Sequence, residues 1–165
     1  MKILGIDPGS AITGYAVVKK GKKGPNEFEV LDFGCINAEK QLGESQRLLK
    51  IYQEISTIIK TYKPDLISVE KLFFFKNVKT VMPVSQTRGV ILLAAEEKNI
   101  PIVEFTPLQV KISITGYGRA EKKQLQKMIE TMLDLKRFDR KDKFRKKDDA
   151  FDAIGVAICA GMKRY

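Results

Sequence analysis

The chain reads as an α/β fold built on a five-stranded mixed sheet: three antiparallel strands, then parallel additions, with helices flanking the sheet. Three observations predict it. Residues 3–7, 14–19 and 27–36 alternate or run apolar with β-branched and aromatic residues, and turn-rich pieces separate them. Two later strand patterns, 65–70 and 102–105, are each preceded by a helical pattern, and a strand-helix-strand crossover requires a parallel pair. No repeat and no Pro/Gly/Ser-rich linker interrupts the 165 residues, so one domain spanning 1–165 is expected.

The elements follow in order. The first three strands form a meander, its second turn marked by Lys19-Lys20-Gly21-Lys22-Lys23-Gly24-Pro25-Asn26. Ser45 to Tyr62 carries Leu48, Leu49, Tyr52, Ile55, Ile58 and Ile59 at helical spacing, and Pro64 ends the helix. Leu66-Ile67-Ser68-Val69-Glu70 reads as a buried strand. A helix from about Val84 to Lys98 follows, then the strand Ile102-Val103-Glu104-Phe105. Thr106-Pro107 opens a short helix in the N-cap/N1 arrangement. A break at Gly116-Tyr117-Gly118 precedes a helix from Ala120 to Leu135, and the last helix covers 149–161. On it Phe151, Ile154, Gly155 and Ile158 are expected to pack against the sheet.

Composition removes whole classes of chemistry. With no histidine, Ser-His-Asp and Cys-His nucleophiles and imidazole-based zinc sites are excluded. Cys35 and Cys159 are too few for a disulfide framework or an all-thiolate zinc site, and fit small core residues in a reducing compartment. Neither the P-loop nor the dinucleotide-binding glycine pattern occurs. No apolar signal region or membrane-length run is seen, so a soluble cytoplasmic protein without membrane contact is expected. Carboxylate chemistry remains.

Three distant segments place acids among apolar residues. Asp7 ends the first strand, Glu70 ends the fourth, and Asp149 and Asp152 share one face of the last helix. Burying such a group costs several kcal/mol unless something offsets it. Each has an ordinary explanation when taken alone. Asp7 could be a turn aspartate before Pro8-Gly9-Ser10, Glu70 could pair with Lys71 or Lys76, and Asp149 with Asp152 could cap a helix at the i, i+3 spacing. Taken together they are better explained by one shared partner, a divalent metal held by oxygen ligands. Asp7 and Glu70 both lie at carboxyl ends of strands, where ligand crevices of such sheets form. Four carboxylates without histidine suit two Mg²⁺ or Mn²⁺ ions and in-line phosphodiester hydrolysis. Asp148 makes the third acid ambiguous by one residue, although the D-x-x-D spacing favours Asp149.

A net charge of +10 points to a polyanion as partner. From Lys136 to Lys147 there are eight cations against Asp139 and Asp142, interrupted by Phe138 and Phe144. A basic track with interleaved aromatics suits single-stranded or distorted nucleic acid; a solvated loop is the plain alternative.

Gly5-Ile6-Asp7-Pro8-Gly9-Ser10 with Thr13-Gly14-Tyr15, Val69-Glu70-Lys71-Leu72-Phe73, Lys76-Asn77, Gln86-Thr87-Arg88-Gly89, Gln109-Val110-Lys111, Ala120-Glu121-Lys122 and Asp149-Ala150-Phe151-Asp152-Ala153 occur in this order along the chain. In them the chain resembles the RuvC family of Holliday junction resolvases over essentially its whole length. The resemblance implies an RNase H-like fold, a homodimer, and Mg²⁺-dependent symmetrical nicking of four-way DNA junctions. It implies Asp7, Glu70, Asp149 and Asp152 as catalytic, metal-binding acids, with two ions per site. Phe73 matches the aromatic that wedges into the junction, and Lys111 and Lys122 match basic residues near the cleaved strand. Lys76, Arg88 and Arg119 complete the expected DNA-binding set, and a branch-migration motor complex is a candidate partner. The 136–147 segment departs from the family in length and basicity.

Three other readings compete. Another nuclease of the same fold would act on RNA or simple duplex, which the fold alone does not separate. An actin- or hexokinase-like ATPase shares Asp-x-Gly after its first strand but needs two such domains. A silent DNA-binding subunit would not need the acids intact.

Overall fold

The structure is a computed structural model that describes residues 1–21, 24, 27–39, 41–71, 78–138 and 148–163. Strands β1 (Lys2–Asp7), β2 (Ile12–Lys20) and β3 (Phe28–Asn37) form the meander, with both pairings antiparallel. Helix α1 (Glu44–Tyr62) crosses to β4 (Leu66–Glu70), and α2 (Val78–Glu96) crosses to β5 (Ile102–Phe105). β4 pairs with β1 and β5 with β4, both parallel, so the order is β3-β2-β1-β4-β5. This is the mixed sheet the alternation and crossovers require. Helices α3 (Pro107–Thr115), α4 (Lys122–Met132) and α5 (Asp148–Met162) complete the chain.

Period-two alternation divides the strands between two cores. Leu4, Ile6, Ile67 and Val69 face α1 and α2, meeting Ile51, Ile55, Ile58, Ile91 and Ala95. Ile3 and Leu66 face α5, with Ile129, Ile154 and Ile158. By the same parity Gly5, Asp7, Ser68 and Glu70 point to the α5 side. The ends of α1 and α3 are set locally. Lys63 takes a left-handed conformation (φ 49°) and its amide donates to Ile59 O at 2.8 Å, after which Pro64 forbids continuation. Thr106 caps α3, its hydroxyl accepting from the Gln109 amide at 3.2 Å, and Gly116 (φ 70°) closes it.

Helix α5 touches all five strands. The face expected to do so is only partly correct. Phe151 does meet Phe33 of β3, ring centroids 6.0 Å apart. Gly155, however, faces α3 and α4, where an added Cβ would stand 3.0 Å from Val110 Cγ1 and 3.8 Å from Ile129 Cδ1. The side laid closest on the sheet is Ala153, Ala157 and Gly161. A Cβ at Gly5 would overlap Ala153 O and lie 2.8 Å from Ala157 Cβ; one at Gly14 would overlap Asp149 O. Small residues on both partners bring the helix backbone onto β1 and β2, and Ser68 fastens it by donating to Val156 O at 3.0 Å. Beyond its acids α5 is apolar all round and gives no stripe from which to read the inner face, because both its sides are buried.

Two helix bounds also differ. α2 begins at Val78 rather than near Val84; Pro83 lies inside it, in the second turn, where it forgoes a backbone bond without ending the helix. α4 is shorter at both ends than Ala120 to Leu135, being capped at Glu121 and leaving helical geometry at Leu133. Cys159 is buried and Cys35 half-buried, and both pack with the α5-side core.

Candidate active site

The sheet's own register assembles half the site. Ile6 pairs with Val69 in parallel, so Asp7 and Glu70 are the next residues on adjacent strands, both aimed to the α5 side. Beyond Asp7, Thr13 is fully buried and pins the Pro8-Gly9-Ser10 loop, donating to Gly9 O at 3.0 Å and accepting from the Gly9 amide at 3.4 Å. The sequence places Thr13 in a motif without a role, because its strand neighbours hide a polar group with two local partners.

The first turns of α5 supply the other half. Asp152 is within 3.0 Å of Lys122 Nζ, and Asp148 within 4.0 Å of the same atom. Burial drives the Asp7 carboxyl well above the usual range, and the charges of Glu70, Asp152 and Asp149 raise it further. Glu70 is pushed up to about 7, mainly by burial and then by Asp152, against the opposing pull of Lys122 and Lys111. Burial likewise raises Asp152, with Lys122 holding it down. Burial alone would lower Lys122, but its hydrogen bond to Asp152 and the charges of Asp152, Asp148 and Asp7 leave it raised.

Asp149 is among the charges that raise Asp7, and both acids of the doublet raise Asp152; Asp148 lies toward the rim, its side chain 65% exposed and 4.0 Å from Lys122 Nζ. The cations acting on Glu70 among the described residues are Lys122 and Lys111, from distant helices, and not the neighbouring Lys71; the other expected partner, Lys76, lies outside the described residues. Among the described residues no three acidic side chains already close into a metal cage. What converges is a set of hard oxygen donors, mutually repelling and partly buried, with a lysine ammonium as the nearest cation. That donor chemistry fits divalent Mg²⁺ or Mn²⁺ and not a soft metal.

The expected DNA-binding residues divide. Lys122 contacts Asp152, and Lys111 acts on Glu70 through its charge. Arg119 is exposed on the turn that leads into α4. Arg88 sits across the sheet on α2, where its Nε and Nη2 approach Glu104 Oε1 at 2.8 and 2.7 Å. Phe73, Lys76 and residues 139–147 of the basic run lie outside the described residues. The run's beginning is not an open track: Phe138 packs edge-on against Phe33 at 5.1 Å, and Arg137 donates to Glu29 and to Val30 O on β3.

The raised carboxyls give a stability test. Between the ordinary value of 4.5 and about 7, folded protein keeps a proton on Glu70 that unfolded chain has released. Stability in metal-free buffer should therefore fall as pH rises through this window. Glu70→Gln should flatten that fall and raise the melting temperature at pH 8. A wild-type melting temperature that climbs from pH 5 to pH 8 would contradict the burial of this acid.

Comparison with known proteins follows the same lines. A family model described as "Crossover junction endodeoxyribonuclease RuvC" matches residues 3–160. The RuvC of Caldicellulosiruptor saccharolyticus is 47% identical over 159 residues, 96% of this chain and 91% of that protein. The solved structure of Thermus thermophilus RuvC superposes with a TM-score of 0.86 at 26% identity, covering 98% of this chain and 94% of the other. The same protein in complex with Holliday junction substrate gives 0.84 at 26% identity, covering 96% and 92%.

Proposed function

This chain belongs to the RuvC family of crossover junction endodeoxyribonucleases, and from that premise we propose that it resolves four-way DNA junctions by paired, symmetrical nicks in recombination and repair. Asp7, Glu70, Asp149 and Asp152 are its catalytic acids in this reading. The observation that carries it is the meeting of acids from β1, β4 and α5 at the carboxyl edge of the parallel strands, with Lys111 and Lys122 beside them.

The family implies a divalent metal; we assign two Mg²⁺ per site, with Mn²⁺ as substitute, held by the four acids. Bound there, such ions supply activation of a water and stabilisation of the departing 3′-oxygen. The chain's own residues do the rest. Asp7 and Glu70 are fixed by strand pairing, so one half of the donor set is rigid before any ligand arrives. Asp149 and Asp152 ride on α5, whose backbone is locked to the same strands. Lys122 offsets the cluster's charge in the free protein, and it is placed to take a phosphate oxygen once Asp152 is otherwise neutralised. Lys111 serves the same edge from α3. Positive charge here both offsets the acids' repulsion of DNA and draws the phosphate in.

We further propose a two-fold dimer, because two matched cuts call for two symmetry-related sites. Helix α2 buries Thr87, Ile91, Ala94 and Ala95 while Met82, Gln86, Gly89 and Leu93 form one outward stripe, with Met82 74% and Leu93 57% exposed. That stripe is the expected contact. Leu93→Glu should yield a monomer by sedimentation and convert paired nicks to single ones; an unchanged dimer would move the interface elsewhere. Action in the cytoplasm, alongside a branch-migration motor, completes the proposal. Among the described residues no helix is long and apolar enough to cross a membrane.

The deciding experiment is nicking with and without Mg²⁺ on a four-way junction, linear duplex and an RNA–DNA hybrid. Paired cuts confined to the junction support the assignment. Equal cleavage of duplex or hybrid would favour a broader nuclease of the same fold, and binding without cutting a silent subunit.

A further inference from the structure

Beside the acids lies a surface that the catalytic reading does not use. Leu108 and Ile112, one turn apart on α3, are 54% and 50% exposed, and Tyr117 in the following turn is 57% exposed. The turn lies against the helix: Gly118, next to Tyr117, is so close that an added Cβ would press into Leu108 Cδ1 and stand 3.3 Å from Ile112 Cγ1. The turn is held firmly. Thr115 Oγ1 accepts from the Tyr117 amide at 3.1 Å and approaches Tyr117 O at 3.0 Å, while the Ala120 amide donates to Tyr117 O at 3.1 Å. A ring on such a turn is presented at low entropic cost, since its backbone is already ordered.

Charge says what this patch meets. Lys111 stands on the same helix, and Arg119, Lys122 and Lys123 follow within six residues of Tyr117, against Glu121 alone. Lys111 and Lys122 also act on Glu70. An aromatic and apolar platform among cations suits a nucleobase with its phosphate, whereas an apolar protein surface would leave those cations unanswered. Bases inside a duplex are covered on both faces, so the base taken must be unpaired, as at a strand exchange point.

We propose that Tyr117, with Leu108 and Ile112, forms a stacking subsite for an unpaired nucleobase of the strand that runs into the acidic cluster. The proposal rests on the reading of the chain as a junction nuclease. It makes Tyr117 a positioning residue that fixes the strand's register on the site, separate from the acids.

The chain contains no tryptophan, so Tyr117→Trp introduces a single indole fluorophore. Titrated with an unlabelled four-way junction in EDTA, the indole emission of this variant should quench and saturate in step with the anisotropy of a labelled junction. That of Leu49→Trp, on exposed α1 surface, should stay constant. Tyr117→Ala should slow single-turnover cleavage about tenfold, the scale of one stacked base, with little change in melting temperature. Tyr117→Phe should recover most of that loss, because the ring and not the hydroxyl stacks. Unchanged emission from the Tyr117→Trp variant, despite junction binding by anisotropy, would overturn the subsite and leave the nuclease reading intact. Quenching that tracks protein concentration without DNA would make the patch a protein contact and overturn it too. Absence of junction binding altogether would overturn both.

Discussion

Asp7→Asn, Glu70→Gln and Asp152→Asn should each reduce junction cleavage by roughly 10³-fold or more while leaving junction binding intact or tighter. Each removes a charge from a donor set whose members are already partly buried and mutually repelling. The loss is large because the several kcal/mol a metal site contributes to the transition state vanish with one ligand, at tenfold per ~1.4 kcal/mol. Binding should hold because the same substitution removes a repulsion between carboxylate and phosphate. For the doublet, Asp149→Asn should be severe and Asp148→Asn mild, since Asp148 meets Lys122 on the rim. Single-turnover cleavage and anisotropy on the same variants separate the two effects. Parallel loss of binding and cleavage would show the acids to be structural, and a reversed order at 148 and 149 would move the third acid by one residue.

The second large effect concerns stability. Gly5→Ala and Gly14→Ala should each destabilise the protein by about 3 kcal/mol or more, the upper range for overpacking, because the added methyl meets backbone and not a movable side chain. At Gly14 it meets Asp149 O, so the surviving folded fraction should also cut poorly. Urea denaturation monitored by circular dichroism measures the first effect and cleavage per folded molecule the second. A midpoint within error of wild type would mean that α5 can lift from the sheet without penalty.

The sheet is legible in the sequence because its signals are local. Period-two patterns, turn residues and the crossover rule need only neighbours along the chain, and strand parity then places Asp7 and Glu70 on one face. The acids are legible because each sits where burial makes a charge expensive. What stays hidden depends on distant partners. Nothing near Arg88 in sequence announces Glu104, and nothing around Phe138 announces the Phe33 ring that takes it out of the basic track. The inner face of α5 misleads because bulky residues suggest it, whereas close approach selects Ala153 and Ala157 against Gly5. Pro83 conceals the start of α2 because a proline within a helical pattern reads as a boundary, whereas this helix continues through it.

Helix α5 bears two of the acids and touches all five strands. In most enzymes of this size the reactive groups ride on loops that loosen well before the core does, so heat silences them while the body remains folded. Here the second half of the acid set cannot shift without opening the main core, and the first half is strand backbone within it. Thermal inactivation and global unfolding should therefore share one midpoint, with no folded but idle species between them. Natural variants that drift toward inactivity by loosening this region would be cleared as unstable chains before they accumulated as junction-binding bystanders.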